Sequence, residues 1–192
     1  MALTDLSTKD LLNAFSSSDP TPGGGSAAAL SSAIGASVLM MVCGLPKTKS
    51  NSDEDRSKLQ AAAIALTRYR QQLTEAIDAD TNAYDQVVVA YKLPRSTDDE
   101  KRLRKEAVQR AMRAATDVPL QVMRLSADAL KESTIVAAHG HSGASSDVGV
   151  AIALLKAGLE GARLNVDINV GSIDDGSYVS AVRAEVERLT TG

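Results

Sequence analysis

Aromatic residues are nearly absent from this chain of 192 residues, which contains no tryptophan, one phenylalanine and four tyrosines. Sandwiches and barrels of β-strands draw on aromatic side chains for much of their packing, so this scarcity favours helices packed closely through alanine and leucine. The sequence also lacks an alternating strand pattern, whereas helical spacing of apolar residues recurs along most of it. Repeats, linkers and low-complexity segments are missing as well. We therefore predict a single all-α domain over residues 1–192.

Cysteine and excess positive charge are the next absences. A single cysteine, Cys43, excludes an internal disulfide and a cysteine-cluster metal site. The formal net charge of −3 provides no basic surface for nucleic acid or for an anionic membrane. The longest apolar stretch, 27–45, is interrupted by serines and glycines, which favours a buried core helix over a membrane span. Because the first residues lack the pattern of a signal peptide, we expect a cytoplasmic protein with no nucleic-acid and no membrane partner.

Prolines, glycines and cap residues divide the chain into predicted helices. These helices cover 3–15, 26–45, 53–93, the stretch from a cap at 96–100 to 139, 145–170 and 178–189. Pro119 lies inside the fourth of them and is expected to kink or break it. Helices of this length need partners for their apolar faces, so we predict an antiparallel bundle with long helices, extended across a dimer.

Three consecutive glycines, Gly23, Gly24 and Gly25, stand directly before Ser26 and the alanine-rich start of a predicted helix. Glycine permits positive φ and lets another group approach the backbone closely. A helix start also offers free N–H groups and the positive end of a dipole, so the run is a candidate anion site. The alternative is a tight turn followed by a serine cap. The run is neither a Walker motif, since the lysine is missing, nor a dinucleotide fingerprint, since no strand precedes it.

A carboxylate interrupts an apolar series on the longest of the early helices. Residues seven apart share one helix face, and this series reads Leu59, Leu66, Leu73, Asp80 and Val87. Asp80 therefore points where a leucine is expected, and it needs a partner or a raised pKa. Such a group suits acid–base catalysis, although a buried aspartate that only fixes helix register is an equal alternative. Asp85 lies off this series and is more typical of a solvated charge.

The predicted helix 145–170 carries further polar candidates. Asp147 lies in its first turn, where a favourable interaction with the helix dipole already explains an acid. Asn165 and Asn169 stack on one face, but a straight helix separates Asp147 from Asn165 by roughly 27 Å. The two cannot serve one small site within a single chain. His141 could act as an acid or base, but too few ligands accompany it for a zinc site.

Four parts of the sequence together resemble a known family. They are 20–26 (Pro-Thr-Pro-Gly-Gly-Gly-Ser), 80–95 (ending Ala-Tyr-Lys-Leu-Pro-Arg), 116–120 (Thr-Asp-Val-Pro-Leu), and 146–150 running on to 161–169. The family contains the cyclodeaminase domain of formiminotransferase-cyclodeaminase and the single-domain methenyltetrahydrofolate cyclohydrolases. The resemblance implies an all-helical homodimer that acts on one-carbon tetrahydrofolates without a metal. One departure is the turn Gly140-His141-Ser142-Gly143, which replaces the Gly-Asn-x-Asn usual in the family.

The resemblance also implies roles for the candidate residues. Asp80 and Asp147 are assigned to charge stabilisation and proton transfer, and Lys92 to proton transfer or to the glutamate tail of the folate. The residues expected to bind the substrate are Gly23, Gly24, Gly25, Ser26, Asp85, His141, Asn165 and Asn169. No cofactor is expected beyond the tetrahydrofolate derivative itself.

The implied activity is that of a formimidoyltetrahydrofolate cyclodeaminase, which forms 5,10-methenyltetrahydrofolate and releases ammonia. A cyclohydrolase that opens the methenyl ring to 10-formyltetrahydrofolate is the first alternative. The second is a non-catalytic folate-binding or purely structural helical dimer, which the altered turn at His141 allows.

Overall fold

The computed structural model describes residues 2–191, and within them it contains six α-helices, two single-turn 3-10 helices and no strand. The α-helices are α1 (Thr8–Phe15), α2 (Gly24–Cys43), α3 (Asp53–Tyr91), α4 (Asp98–His139), α5 (Ser145–Val170) and α6 (Gly176–Thr191). The 3-10 helices are Leu3–Asp5 and Ser142–Ala144. The predicted all-α fold is confirmed. The first predicted helix is wrong in one respect, because the chain is extended at Leu6 and α1 starts only after Ser7, whose side chain accepts a hydrogen bond from Asp10 N at 3.1 Å.

Helices α2 to α5 form a four-helix bundle in which each helix is antiparallel to its two neighbours. The start of α2 faces the end of α5, since Gly24 lies against Asn165, whereas Gly35 further along lies against Leu155. The largest fully buried side chains come from all four helices, namely Leu39, Leu66, Leu73, Met123 and Leu155. The predicted antiparallel bundle is thereby confirmed for the single chain. Within residues 2–191, α2 is the one helix long and apolar enough to cross a membrane, and half of the tested stretch is buried in the bundle.

Small residues bring three helices of the bundle into close contact. A side chain at Gly158 of α5 would place its Cβ 1.9 Å from Ser32 Oγ of α2, so only glycine fits there. The hydroxyl of Ser32 is fully buried and shares a 2.6 Å hydrogen bond with Ser126 of α4. The alanine-rich, aromatic-poor composition is therefore explained by helix axes that lie close together.

Local capping explains where the two longest helices begin. Ser52 accepts a hydrogen bond from Asp55 N at 3.1 Å and starts α3. Thr97 and Glu100 form a reciprocal capping box at the start of α4, with bonds of 3.2 Å and 3.0 Å. Both helices also carry three acidic residues in the first turn, which complement the helix dipole.

Helix α4 continues through Pro119 and does not break there. A proline has no N–H, so the carbonyl of Ala115, four residues earlier, loses its partner within the helix. Asn169 of α5 replaces that partner, because its Nδ2 donates to Ala115 O at 2.9 Å. The expected disruption at Pro119 is thus repaired by a side chain from the neighbouring helix.

The α3–α4 pair extends beyond the start of α2. Past this point a second, smaller apolar cluster holds the two helices and the α5–α6 loop together, formed by Val87, Ala90, Val108, Met112 and Ile173. Arg104 also packs over the Tyr91 ring, at 5.3 Å from its centroid. Helices α3 and α4 therefore project past the first turn of α2, and Asp80 of α3 lies beside that turn.

Candidate active site

The carboxylate of Asp80 contacts the first turn of α2. Its Oδ2 atom accepts a hydrogen bond from the backbone N–H of Ser26 at 2.8 Å and lies 3.1 Å from Ser26 Oγ. The first N–H groups of a helix have no partner within the helix, and an acid there interacts favourably with the dipole. We refer to Gly24, Gly25, Ser26, Asp80 and Asn165 as the Asp80 site.

Gly25 is required because the Asp80 carboxylate approaches its Cα closely. A Cβ built on Gly25 would lie 2.1 Å from Asp80 Oδ1, far inside van der Waals contact. None of the glycines in residues 2–191 has positive φ, so the run provides space for a close approach and does not form a left-handed turn. The predicted start of the helix at Ser26 is also too late, because Gly24 and Gly25 already belong to α2.

The predicted anion site at the glycine run is partly occupied by the protein itself. Asp80 takes the N–H of Ser26, and the side chain of Ser26 is fully buried. The Ser26 hydroxyl therefore does not reach a surface that a substrate could touch. Within residues 2–191, the N–H groups of Gly24 and Gly25 have no acceptor, and of the two residues only Gly24 is exposed, so its N–H remains the candidate for binding a substrate oxygen.

Two opposing effects act on the pKa of Asp80. Burial against α2 raises the pKa of the carboxyl above its usual value, because it disfavours the charged form. The hydrogen bonds from the Ser26 hydroxyl and backbone lower this pKa, and burial is the larger effect. The side chain is only half-buried, and it combines a raised pKa with access to its surroundings. This combination is typical of an acid–base catalyst.

The two asparagines of α5 lie near this end of the bundle but differ in what they contact. A Cβ on Gly24 would meet Asn165 Nδ2 at 3.4 Å, so Asn165 borders the start of α2. Its Nδ2 donates to Gly161 O at 2.8 Å. The Nδ2 of Asn169 donates to Ala115 O on α4, whereas the glycines at the start of α2 lie against Asn165. The structure therefore places Asn165, and not Asn169, in the Asp80 site.

Asp85 and Lys92 lie outside the Asp80 site within the single chain. Asp85 is exposed and lies five residues beyond Asp80 on α3. Lys92 is the exposed residue at which α3 ends, twelve residues from Asp80 and roughly 18 Å along the helix axis. Their predicted contacts with a substrate stay predictions.

Asp147 and His141 lie at the opposite end of the bundle. Asp147 is in the first turn of α5, eighteen residues before Asn165, which corresponds to roughly 27 Å along the helix. His141 accepts a hydrogen bond from Gly143 N at 3.1 Å. It helps to line a cavity of about 240 Å³ whose other residues are Lys49, Val136, Ala137, Gly140, Ser142, Ser145 and Val148. The expected separation of Asp147 from Asn165 is thus present in the structure.

Four cavities in the described residues have volumes of about 210 to 380 Å³, and none of the four is lined by Asp80 or the glycine run. Residues 2–191 also contain no group of three or more histidine, cysteine, aspartate or glutamate side chains placed to hold a metal ion.

Sequence reasoning missed a second buried carboxylate, Asp55. Its Oδ1 lies 2.8 Å from His139 Nδ1, and its Oδ2 accepts hydrogen bonds from Ser50 N and Oγ at 2.7 Å and from Thr48 Oγ1 at 3.1 Å. These hydrogen bonds hold the pKa of Asp55 well below its usual range. The bond from the Ser50 hydroxyl has the largest effect, followed by the bond with His139. The cluster joins the start of α3 to the end of α4. The cap at Ser52 was the one sequence signal near it.

The fold and the Asp80 site define an all-α protein with a partly desolvated carboxyl against the first turn of a glycine-led helix. The chain belongs to the formiminotransferase-cyclodeaminase family, whose model matches residues 7–188. It is 40% identical over 178 residues to the methenyltetrahydrofolate cyclohydrolase of Methylorubrum extorquens, a match that covers 93% of this chain and 86% of that protein. The family resemblance predicted from sequence is confirmed.

Two further similar proteins are named as cyclodeaminases. The chain is 30% identical over 168 residues to the formimidoyltransferase-cyclodeaminase of Gallus gallus, which covers 88% of this chain but 31% of that protein. The chain thus spans about a third of that relative. The crystal structure of formiminotetrahydrofolate cyclodeaminase from Thermotoga maritima has the same fold, with a TM-score of 0.86, 26% identity, and coverage of 97% of this chain and 89% of that one.

Proposed function

We propose that this chain is a one-carbon folate enzyme that hydrolyses 5,10-methenyltetrahydrofolate to 10-formyltetrahydrofolate. The observation that carries the proposal is the half-buried Asp80 carboxyl, held by Ser26 at the start of α2. The relative named a methenyltetrahydrofolate cyclohydrolase is 40% identical to this chain, against 26% for the Thermotoga maritima cyclodeaminase, which favours this activity over the one ranked first from sequence.

The proposed chemistry follows from what a carboxyl with a raised pKa can do. Water attacks the cationic carbon between N5 and N10, and Asp80 accepts a proton from that water. The carbon becomes tetrahedral, and Asp80 returns the proton to N5 as the carbon–N5 bond breaks. The second proton of the water leaves to solvent as the formyl group forms on N10. The free N–H group of the exposed Gly24 is available to bind an oxygen of the substrate beside Asp80.

Formimidoyltetrahydrofolate cyclodeaminase activity is the second candidate, supported by the fold shared with the Thermotoga maritima enzyme. There N10 attacks the formimino carbon and the N10 proton passes to the formimino nitrogen. Asp80 then protonates the resulting amino group, which leaves as ammonia while the methenyl cation forms. Both reactions pass through a tetrahedral carbon flanked by nitrogens, so one acid–base residue suits both. Neither requires a metal or a cofactor besides the folate, because a carboxyl supplies the proton transfer and the negative charge.

We also propose that the enzyme acts as a cytoplasmic homodimer. Asp147 and His141 lie far from Asp80 within one chain, so a role for them in the same site requires a second copy. Lys92, exposed at the end of α3, is proposed to contact the glutamate tail of the folate.

A paired spectroscopic assay tests the proposed activities. Methenyltetrahydrofolate absorbs at long wavelength, so its decay measures hydrolysis and its formation from formiminotetrahydrofolate measures cyclodeamination. We expect Asp80→Asn to lower kcat at least about tenfold, since acid–base catalysis typically contributes a factor of ~100 or more. Glu75→Gln, an exposed acid on the same helix, is the matched control and should retain wild-type turnover.

Other outcomes of this assay select the alternatives. Binding of both folates without turnover by the wild-type protein would favour a non-catalytic folate-binding protein, and no binding would favour a structural role. Wild-type turnover in a folded Asp80→Asn variant would remove Asp80 from the mechanism.

A further inference from the structure

The hydroxyl of Ser26 has two acceptors but a single hydrogen. Ser26 Oγ lies 2.8 Å from the backbone oxygen of Ile77 and 3.1 Å from Asp80 Oδ2. A serine hydroxyl donates one hydrogen bond and accepts up to two. The Ser26 hydroxyl therefore donates to either Ile77 O or Asp80 Oδ2 at one time. When it donates to Ile77 O, its contact with Asp80 needs a hydrogen from the carboxyl group.

The protonation state of Asp80 decides which of the two arrangements holds. When Asp80 is ionised, both the backbone N–H and the hydroxyl of Ser26 can donate to Oδ2. When Oδ2 carries a proton, that proton can be donated to Ser26 Oγ while the serine hydroxyl donates to Ile77 O. In each state Ser26 Oγ and Asp80 Oδ2 stay hydrogen-bonded to each other, and only hydrogen atoms move between the two arrangements.

Ser26 supports Asp80 from the protein interior. The side chain of Ser26 is fully buried, whereas Asp80 is half-buried beside the first turn of α2. Thr81 Oγ1 lies 3.4 Å from Ser26 Oγ and closes the group on the remaining side. A substrate at Asp80 thus meets the carboxylate and not the serine.

We propose that Ser26 is a positioning residue that holds Asp80 in one place in both of its protonation states. The catalytic consequence rests on the proposed function, since it assumes that Asp80 takes up and releases a proton in turnover. The coupling between the hydroxyl and the carboxyl does not depend on that function and can be measured in the free protein.

Charged groups do not dominate the surroundings of Asp80. Burial and the two Ser26 hydrogen bonds account for the pKa of Asp80, and no charged neighbour contributes. On α2 the one ionisable side chain is Cys43, at the far end of the helix. The charged residues on the other elements have their own partners or are exposed: Asp78 bonds to Leu3 and Thr4, Arg113 to Asp175, Asp117 to Tyr178, and Asp85 is exposed.

The backbone N–H of residue 26 is a direct probe of Asp80, because it donates to Oδ2 whatever side chain residue 26 carries. We would follow its ¹H and ¹⁵N chemical shifts against pH in the wild-type protein and in Asp80→Asn, which should abolish the titration. In Ser26→Ala the midpoint should rise by roughly half to one pH unit, since the ionised carboxylate loses one donor. Ser26→Cys, which keeps the volume but donates weakly, should give a smaller rise.

Ser32→Ala is the matched control, since it also removes a fully buried serine hydroxyl from α2, one that bonds to Ser126. Its residue-26 midpoint should equal that of the wild-type protein. An unchanged midpoint in both Ser26 variants, or a titration that persists in Asp80→Asn, would overturn the proposal.

Kinetics separate a positioning role from a substrate contact. In Ser26→Ala we expect kcat to fall about tenfold with KM nearly unchanged, and the acid limb of the pH–rate profile to rise with the measured midpoint. A raised KM with unchanged kcat would instead indicate direct binding. Absence of turnover in the wild-type protein would remove the proposed function and leave the chemical-shift titration as a test of Ser26 alone.

Discussion

At the scale of single residues, the site depends on the carboxylate of Asp80 and on Gly25, a residue without a side chain that lies against this carboxylate. Asp80 reaches the first turn of α2 only because Gly25 has no Cβ, which would otherwise lie 2.1 Å from Oδ1. The close approach permits the 2.8 Å hydrogen bond from Ser26 N and desolvates the carboxyl, which raises its pKa. The reactivity of Asp80 is therefore set at a position more than fifty residues away.

Gly25→Ala should displace Asp80 and abolish its contact with α2. We expect kcat to fall at least about tenfold, as in Asp80→Asn, because the acid–base group no longer keeps its place. Gly176→Ala, in the first turn of α6, is the matched control, since a Cβ there meets nothing within 4 Å. That variant should keep wild-type turnover and gain up to about 1 kcal/mol of unfolding free energy from helix propensity. The decay of methenyltetrahydrofolate and urea unfolding measure the two effects, and wild-type kcat in Gly25→Ala would contradict this account.

Sequence alone predicted half of this contact. The seven-residue series predicted that Asp80 faces inward, and the glycine run predicted either a close approach to the start of α2 or a tight turn with a serine cap. That the two meet depends on the relative positions of α2 and α3, which local patterns do not encode. The same applies to Asp55, whose partner His139 lies 84 positions away.

At the scale of elements, α4 and α5 depend on the hydrogen bond between Asn169 and Ala115. Helix geometry alone predicts that Pro119 leaves the carbonyl of Ala115 without a partner. It does not predict the replacement donor, because Asn169 comes from another helix. From sequence, Asn169 had been assigned to substrate binding. Helix boundaries were predicted closely because caps and prolines act locally. Contacts between helices were not, since they depend on how the helices pack.

Asn169→Ala should lower the unfolding free energy by about 1 kcal/mol, because it leaves a partly buried carbonyl without its donor. Asn82→Ala, an exposed asparagine on α3, should change it little. In a Pro119→Ala background the N–H of residue 119 is restored and can bond to Ala115, so the cost of Asn169→Ala should shrink. Urea unfolding of the four proteins measures this coupling, and equal costs in both backgrounds would show that Asn169 does not replace the missing donor.

At the scale of the whole molecule, the bundle leaves an apolar surface on α2 and α5. The exposed large side chains there are Ile34, Met41, Val150, Leu164 and Ile168, with exposed fractions from 44% to 74%. Exposed apolar surface can mark an interface between subunits, and we expect these two helices to form it in a dimer. This surface is consistent with the homodimer expected from the family resemblance.

We predict that the protein sediments as a dimer, at twice the 20.0 kDa of one chain. Ile168→Glu, at a position 74% exposed on α5, should shift the equilibrium toward the monomer. Ile64→Glu, at a position 68% exposed on α3, places the same charge outside the α2–α5 surface and should leave the dimer intact. Sedimentation velocity distinguishes these outcomes, and a wild-type protein that remains monomeric at all concentrations would contradict the prediction.

The contact between Gly25 and Asp80 has a consequence for protein engineering. Because the two positions compete for one volume, they cannot be randomised independently in a library: any larger residue at 25 selects for a shorter one at 80, and with it for loss of the acid. A search for altered activity should vary them as a pair, or leave both untouched and diversify the exposed residues around them.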